Sequence, residues 1–124
     1  MSKINYSAMA IDQLLKRFEQ ACLEQYDTYI TGSSKKFNTN FRVLVSITDE
    51  LKIRGVEARR SLLQLLSHEN PQVRLQAAKF VYPVAREEAK KQLQDIRMAK
   101  LPDQSLDAGM TLRGLEDDPH CLDS

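Results

Sequence analysis

Residues 62–81 read LLQLLSHENPQVRLQAAKFV. Four leucines fall within five positions, followed by a polar break, a proline, Val-Arg and a pair of alanines. This is the pattern of two apolar helices divided by a few residues. Asn70 suits an N-cap, because its side-chain oxygen accepts N–H groups that a first helical turn leaves orphaned. Pro71 then fits the first helical position, where its missing N–H costs nothing. Beyond it, Val73, Ala77, Phe80 and Val81 share a face, and Ala78 is small enough for another helix to approach closely. Pro83 ends or bends this helix. The stretch therefore predicts a helix that folds back on its predecessor.

The same period of three and four extends in both directions. Ile11, Leu14, Leu15, Phe18, Cys22 and Tyr26 make an apolar stripe on a first helix over about residues 8–30, with Ser7 as its N-cap. The segment TGSSKKFNTN, residues 31–40, reads as a polar loop. A second helix over 39–54 carries Phe41, Leu44, Ile47 and Leu51 and stops at Gly55, a left-handed C-terminal cap. A third covers 56–67. After Pro83 a fifth turns Ala85, Ala89, Leu93 and Ile96 inward and Glu87, Lys90, Lys91 and Gln94 outward. The residues leave five or six helices open: a short sixth over 103–115 would carry Leu106, Met110, Leu112 and Leu115, and Gly109 and Gly114 count against it. Strand signals are nearly absent: there is little apolar/polar alternation and no Asn-Gly or Asp-Gly turn.

The predicted fold is therefore all-α, about three stacked helical hairpins forming an α-α superhelix. One domain over 1–117 is expected, followed by a flexible acidic tail over 118–124. A chain of 124 residues with 42% hydrophobic and 28% charged content is that of a globular protein. No apolar run reaches the roughly 18–20 residues of a membrane span. The N-terminus has no signal-peptide core, since Asp12, Lys16 and Arg17 interrupt its longest apolar segment. A cytoplasmic protein is expected, in which Cys22 and Cys121 are free thiols. Net charge is +1 but unevenly spread: residues 1–99 hold 16 Lys+Arg against 11 Asp+Glu, and residues 100–124 hold 2 against 6.

The opening stretch resembles a HEAT-type helical repeat. Leu62, Leu63, Leu65 and Leu66 match its first helix, Asn70 and Pro71 its turn, and Val73, Arg74, Ala77 and Ala78 its second helix. The acidic residue that often stands six positions before the arginine, and helps tie repeats together, is His68 here; Glu69 is the candidate substitute. Over residues 51–117 the chain also looks like a small bacterial family of single-domain HEAT-like proteins of unknown function. The resemblance implies a superhelix of this length and no particular activity.

Catalytic signatures do not assemble. His68 lies in the inter-helix turn, and Cys22 lies on a core face where cysteine acts as a small hydrophobe; a Cys22/His68 nucleophilic pair is the residual enzymatic option. Asp117, Asp118, His120, Cys121 and Asp123 lack the spacing of a metal site. TGSSKK at 31–36 has neither the early glycine nor the preceding strand of a phosphate loop. Glu87 and Glu88, adjacent on a helix, point apart. A non-enzymatic protein without cofactor or metal is expected.

Stacked hairpins usually offer an extended surface to proteins or peptides. Gln72, Gln76 and Lys79, at steps of four and three opposite the Val73/Ala77/Phe80 stripe, and Arg60 and Gln64 on the preceding helix, are the candidate partner-binding residues. Between Lys52 and Lys100 there are 11 basic and 5 acidic residues. The expected partner is an acidic protein, an immunity or regulatory role being one concrete form in a bacterial setting. Nucleic-acid binding is the alternative, against which stands a pI near 7.8, below the value above 9 typical of such domains.

Overall fold

The structure, a computed structural model, describes residues 4–123. Among these every regular element is a helix: α1 (Ile11–Thr31), α2 (Ser34–Arg54), α3 (Val56–Arg60), α4 (Pro71–Val81), α5 (Arg86–Met98) and α6 (Gln104–Asp117), with short 3-10 segments between. Within residues 1–61 α1 packs on α2 and α2 on α3, and within residues 62–124 α4 packs on α5 and α5 on α6, sequence neighbours in each case. The chain divides into two compact units, Met1–Ser61 and Leu62–Ser124.

The first unit is built on the α1–α2 hairpin. Leu14, Phe18, Ala21, Cys22, Gln25 and Thr28 are buried along α1, and Asn40, Leu44, Ile47, Thr48 and Leu51 along α2. These stripes step by three and four, but their far ends are polar. Gln25 rather than Tyr26, and Asn40 rather than Phe41, face inward; Tyr26 and Phe41 are exposed. A step of four from Cys22 drifts off the stripe, whereas steps from Ala21 stay on it. The buried amides are tolerated because backbone carbonyls take their N–H groups: Gln25 Nε2 donates to Phe37 O at 3.3 Å and Asn40 Nδ2 to Lys36 O at 3.0 Å.

The expected loop at 31–40 is mostly helix. Gly32, at φ 74°, closes α1 with its N–H on Thr28 O at 2.7 Å. Ser33 caps α2 by accepting from Lys36 N at 3.2 Å. Two residues thus suffice for the turn, and SKKFNTN is the start of α2. At the other end Ser7 is not the cap of α1; it donates to Asn5 Oδ1 in a separate 3-10 turn, Tyr6–Ala8. Instead Gln13 Oε1 accepts from Ala10 N at 2.8 Å. Arg54 at the end of α2 reaches back to the carbonyls of Tyr6, Ser7 and Met9 at 3.1, 3.3 and 2.6 Å, while its Nε pairs with Glu50 at 2.8 Å. The end of α2 is thereby fastened to the entry of α1.

In the second unit the leucine run is a 3-10 helix, Ser61–Ser67, with Leu62 and Leu65 buried at its three-residue period. The break follows the expected chemistry. Asn70 Oδ1 accepts from Gln72 N at 2.8 Å and Val73 N at 3.4 Å, with Pro71 at the first position. Arg74 closes the turn by donating to the carbonyls of His68 and Glu69, at 2.7 and 2.9 Å. Neither acidic side chain nor imidazole is used for this contact; backbone oxygens take the guanidinium. With its amide suitably turned, Gln92 of α5 donates to Leu66 O at 3.1 Å and accepts from Arg74 Nε at 3.3 Å.

Pro83 ends α4 in a short 3-10 turn, Tyr82–Val84. Ala85, Ala89, Leu93 and Ile96 are buried as expected. The sixth helix forms, but its buried stripe is Gln104, Ala108, Leu112 and Leu115; Leu106 and Met110 face solvent. Ser105 positions its start, accepting from Leu101 N and donating to Ile96 O, both at 2.7 Å.

Candidate functional site

The five candidate partner-binding residues do not share an exposed face. Gln72 and Gln76 are buried, correcting the expectation that they line a surface. The reason is that α4 is covered on more than one side: Val73, Leu75, Ala77, Ala78 and Val81 are buried as well, so no polar stripe remains. Gln72 Oε1 accepts from Gln104 Nε2 at 3.0 Å, joining the starts of α4 and α6. Lys79 is half-buried and its Nζ lies 3.0 Å from Asp107 Oδ1. Gln64 is exposed on the 3-10 segment, and Arg60, in the first unit, is half-buried.

The residues considered for chemistry are equally engaged. Burial, and then the nearby Glu19 carboxylate, push the Cys22 thiol well above its ordinary range. Such a thiol stays protonated and is a poor nucleophile. Cys121 is exposed. We expect a disulfide-exchange reagent at pH 8 to modify one thiol per native chain and two after denaturation; two in the native protein would contradict the burial of Cys22. His68 Nδ1 accepts from Asn70 N at 2.9 Å, a structural contact within the turn. Among the described residues no three His, Cys, Asp or Glu side chains are grouped to hold a metal ion, and no helix is long and apolar enough to cross a membrane.

The acidic end folds back. Arg86 holds Pro119 O at 3.1 Å and both Asp123 oxygens at 3.0 and 2.8 Å, while its guanidinium lies 4.9 Å from the centroid of the Tyr82 ring. His120 Nδ1 is 2.8 Å from Asp123 Oδ2. The His120 contact, and then Arg86, hold the Asp123 carboxyl below its usual range. A carboxylate with a lowered folded-state pKa contributes above its unfolded value of about 3.9 and loses that contribution as pH falls through the folded one. Amide exchange at Cys121 and Asp123, corrected for intrinsic rates, should therefore accelerate as pH falls below about 4. Asp123→Asn should give the fast exchange already at neutral pH. Equal exchange in variant and parent would remove the clasp.

Among the described residues each unit carries a surface hollow. The first, about 360 Å³, lies at the α1–α2 tip between Tyr29 and Phe37, whose rings meet edge-on at 5.9 Å. The second, about 330 Å³, lies along α5 and α6.

What these features define is an all-helical chain in which, among the described residues, many polar side chains hold backbone. The chain belongs to the family described as Domain of unknown function (DUF2019), whose profile matches residues 12–116. Among solved structures it is similar to the protein RPA1889 from Rhodopseudomonas palustris CGA009. That crystal structure matches with a TM-score of 0.89 at 39% identity, covering 94% of this chain and 96% of that one. No curated protein matches the chain.

Proposed function

We propose that the chain is a non-enzymatic, HEAT-like interaction module of the cytoplasm that binds an acidic protein partner. The observation that carries this reading is the exposure of large apolar side chains on otherwise well-packed helices. Ile30, Ile53 and Met98 are 86, 80 and 76% exposed. Leu106 and Met110, one turn apart on α6, are 65 and 66% exposed, and adjoining exposed apolar groups rimmed by polar ones are a common mark of binding surfaces. The basic excess between Lys52 and Lys100 favours a partner of opposite sign. The HEAT-like assignment is supported by the Asn70-Pro71 start and by Arg74 gripping the turn, although it grips carbonyls where the resemblance implies an acidic side chain. Gln64 remains a candidate contact; Gln72 and Gln76 do not.

Nucleic-acid binding is the weaker reading, because Arg54, Arg74 and Arg86 are committed to protein oxygens, leaving fewer guanidiniums for phosphates. A tagged pull-down from host extract, with and without nuclease and at two salt concentrations, tests the choice. A protein retained after nuclease is expected. Retention abolished by nuclease and falling steeply with salt would replace this reading with the nucleic-acid one.

A further inference from the structure

We propose that the cleft between α5 and α6 is a docking groove for an acidic amphipathic helix of a partner protein. The proposal rests on the protein-binding reading above and assigns it a place and a partner chemistry. Arg97 of α5 and Leu106, Gly109, Met110, Arg113 and Glu116 of α6 line the cleft. Leu106 and Met110, one turn apart, are 65 and 66% exposed. They form an apolar strip for which the core stripe of α6 has no use. Methionine on such a surface adapts its shape to the side chain it meets.

The rim carries the charge argument. With the described residues Arg97 and Arg113 make no ion pair, and both are exposed. Arg54, Arg74 and Arg86, by contrast, each hold carbonyl or carboxylate oxygens. Two uncommitted guanidiniums flanking an apolar strip suit carboxylates, which they bind in paired fashion. A nucleic acid would leave Leu106 and Met110 without a role and would meet the carboxylate of Glu116. Glu116 also sets polarity: the partner's acidic residues belong beside Arg97 and Arg113, and its neutral or basic end beside Glu116.

Gly109 points the same way. A Cβ there would meet the Arg97 Cγ and Cδ atoms at 3.9 Å, an ordinary contact. Packing therefore does not demand glycine, although glycine is unfavourable inside a helix. Its effect is to keep the cleft floor open between the Arg97 stem and Met110. An amphipathic helix with two apolar residues three or four positions apart, flanked by Asp or Glu, matches this floor and rim.

Selection of displayed random peptides of about four helical turns on the immobilised full chain tests the proposal. Enriched sequences should carry apolar pairs at steps of three or four with adjacent Asp or Glu. Their affinity should fall at least about tenfold on Met110→Glu or on Arg97→Glu with Arg113→Glu, exposed changes that leave the circular dichroism unaltered. Gly109→Ala should raise the thermal midpoint yet weaken the same peptides, separating binding from stability. Basic sequences, or acidic ones indifferent to these variants, overturn the groove. Peptides indifferent to the variants leave the protein-binding reading standing elsewhere on the chain. No enrichment overturns the groove, and if the pull-down also retains no protein, both readings fall together.

Discussion

Phe18→Ala is expected to lower the unfolding free energy by about 3–5 kcal/mol. Phe18 is fully buried between the α1 and α2 stripes, with Leu14, Ala21, Cys22, Leu44 and Ile47 also in the core. Removing the ring loses its transfer free energy and leaves a hole that two long, regular helices close only in part. Against a total stability of about 5–15 kcal/mol this is a large fraction. Tyr26→Ala is the comparison, because its side chain lies off the buried stripe at 39% exposure, and it should cost clearly less, about 1–2 kcal/mol. Urea titrations of both variants provide the measurement. Equal losses would mean that the stripe runs through Tyr26 after all.

The second large effect concerns the buried amide pair. Gln104→Met preserves length and removes the donor that Gln72 Oε1 accepts at 3.0 Å. Taking a donor away from a buried acceptor costs up to about 1–3 kcal/mol. In a Gln72→Met background the same change should cost much less, since the acceptor is already gone; the difference between the two is the coupling of the pair. Leu106→Met, on the exposed side of the same helix, should stay within about 0.5 kcal/mol of the parent. If Gln104→Met costs the same in both backgrounds, the two amides are not partners.

These two predictions mark the boundary of what the residues alone disclose. Periodic leucines and alanines placed five helices and the Asn70-Pro71 restart, because burial of apolar side chains has a regular spacing. The inward turn of Gln25, Asn40, Gln72 and Gln104 was not legible. A glutamine in a core satisfies its amide on a backbone or a second amide, and one-dimensional patterning reads it as surface. The same blindness put Gln72 and Gln76 among the partner-binding candidates and Leu106 and Met110 in the core. That difference in phase is what hides the cleft along α6 from the sequence. Its signal was present, since Gln104, Ala108, Leu112 and Leu115 also step by four and three, but a pattern led by large apolar residues outweighs one led by glutamine and alanine. Similarly, SKKFNTN reads as loop by composition, and only Gly32 and Ser33, acting as stop and start, show that two residues make the turn.

That brief turn has a consequence for how the chain reaches its structure. Two 21-residue helices joined by Gly32 and Ser33 meet through partners close in sequence, and short closures of this kind form rapidly. As a ribosome releases the chain from its N-terminus, α1 and α2 can zip together before α5 and α6 have been translated. The nascent protein would then present a finished hairpin, with Phe18 already out of water, to any chaperone waiting at the exit tunnel. Stalled chains ending after Gly55 should accordingly resist protease across α1 and α2.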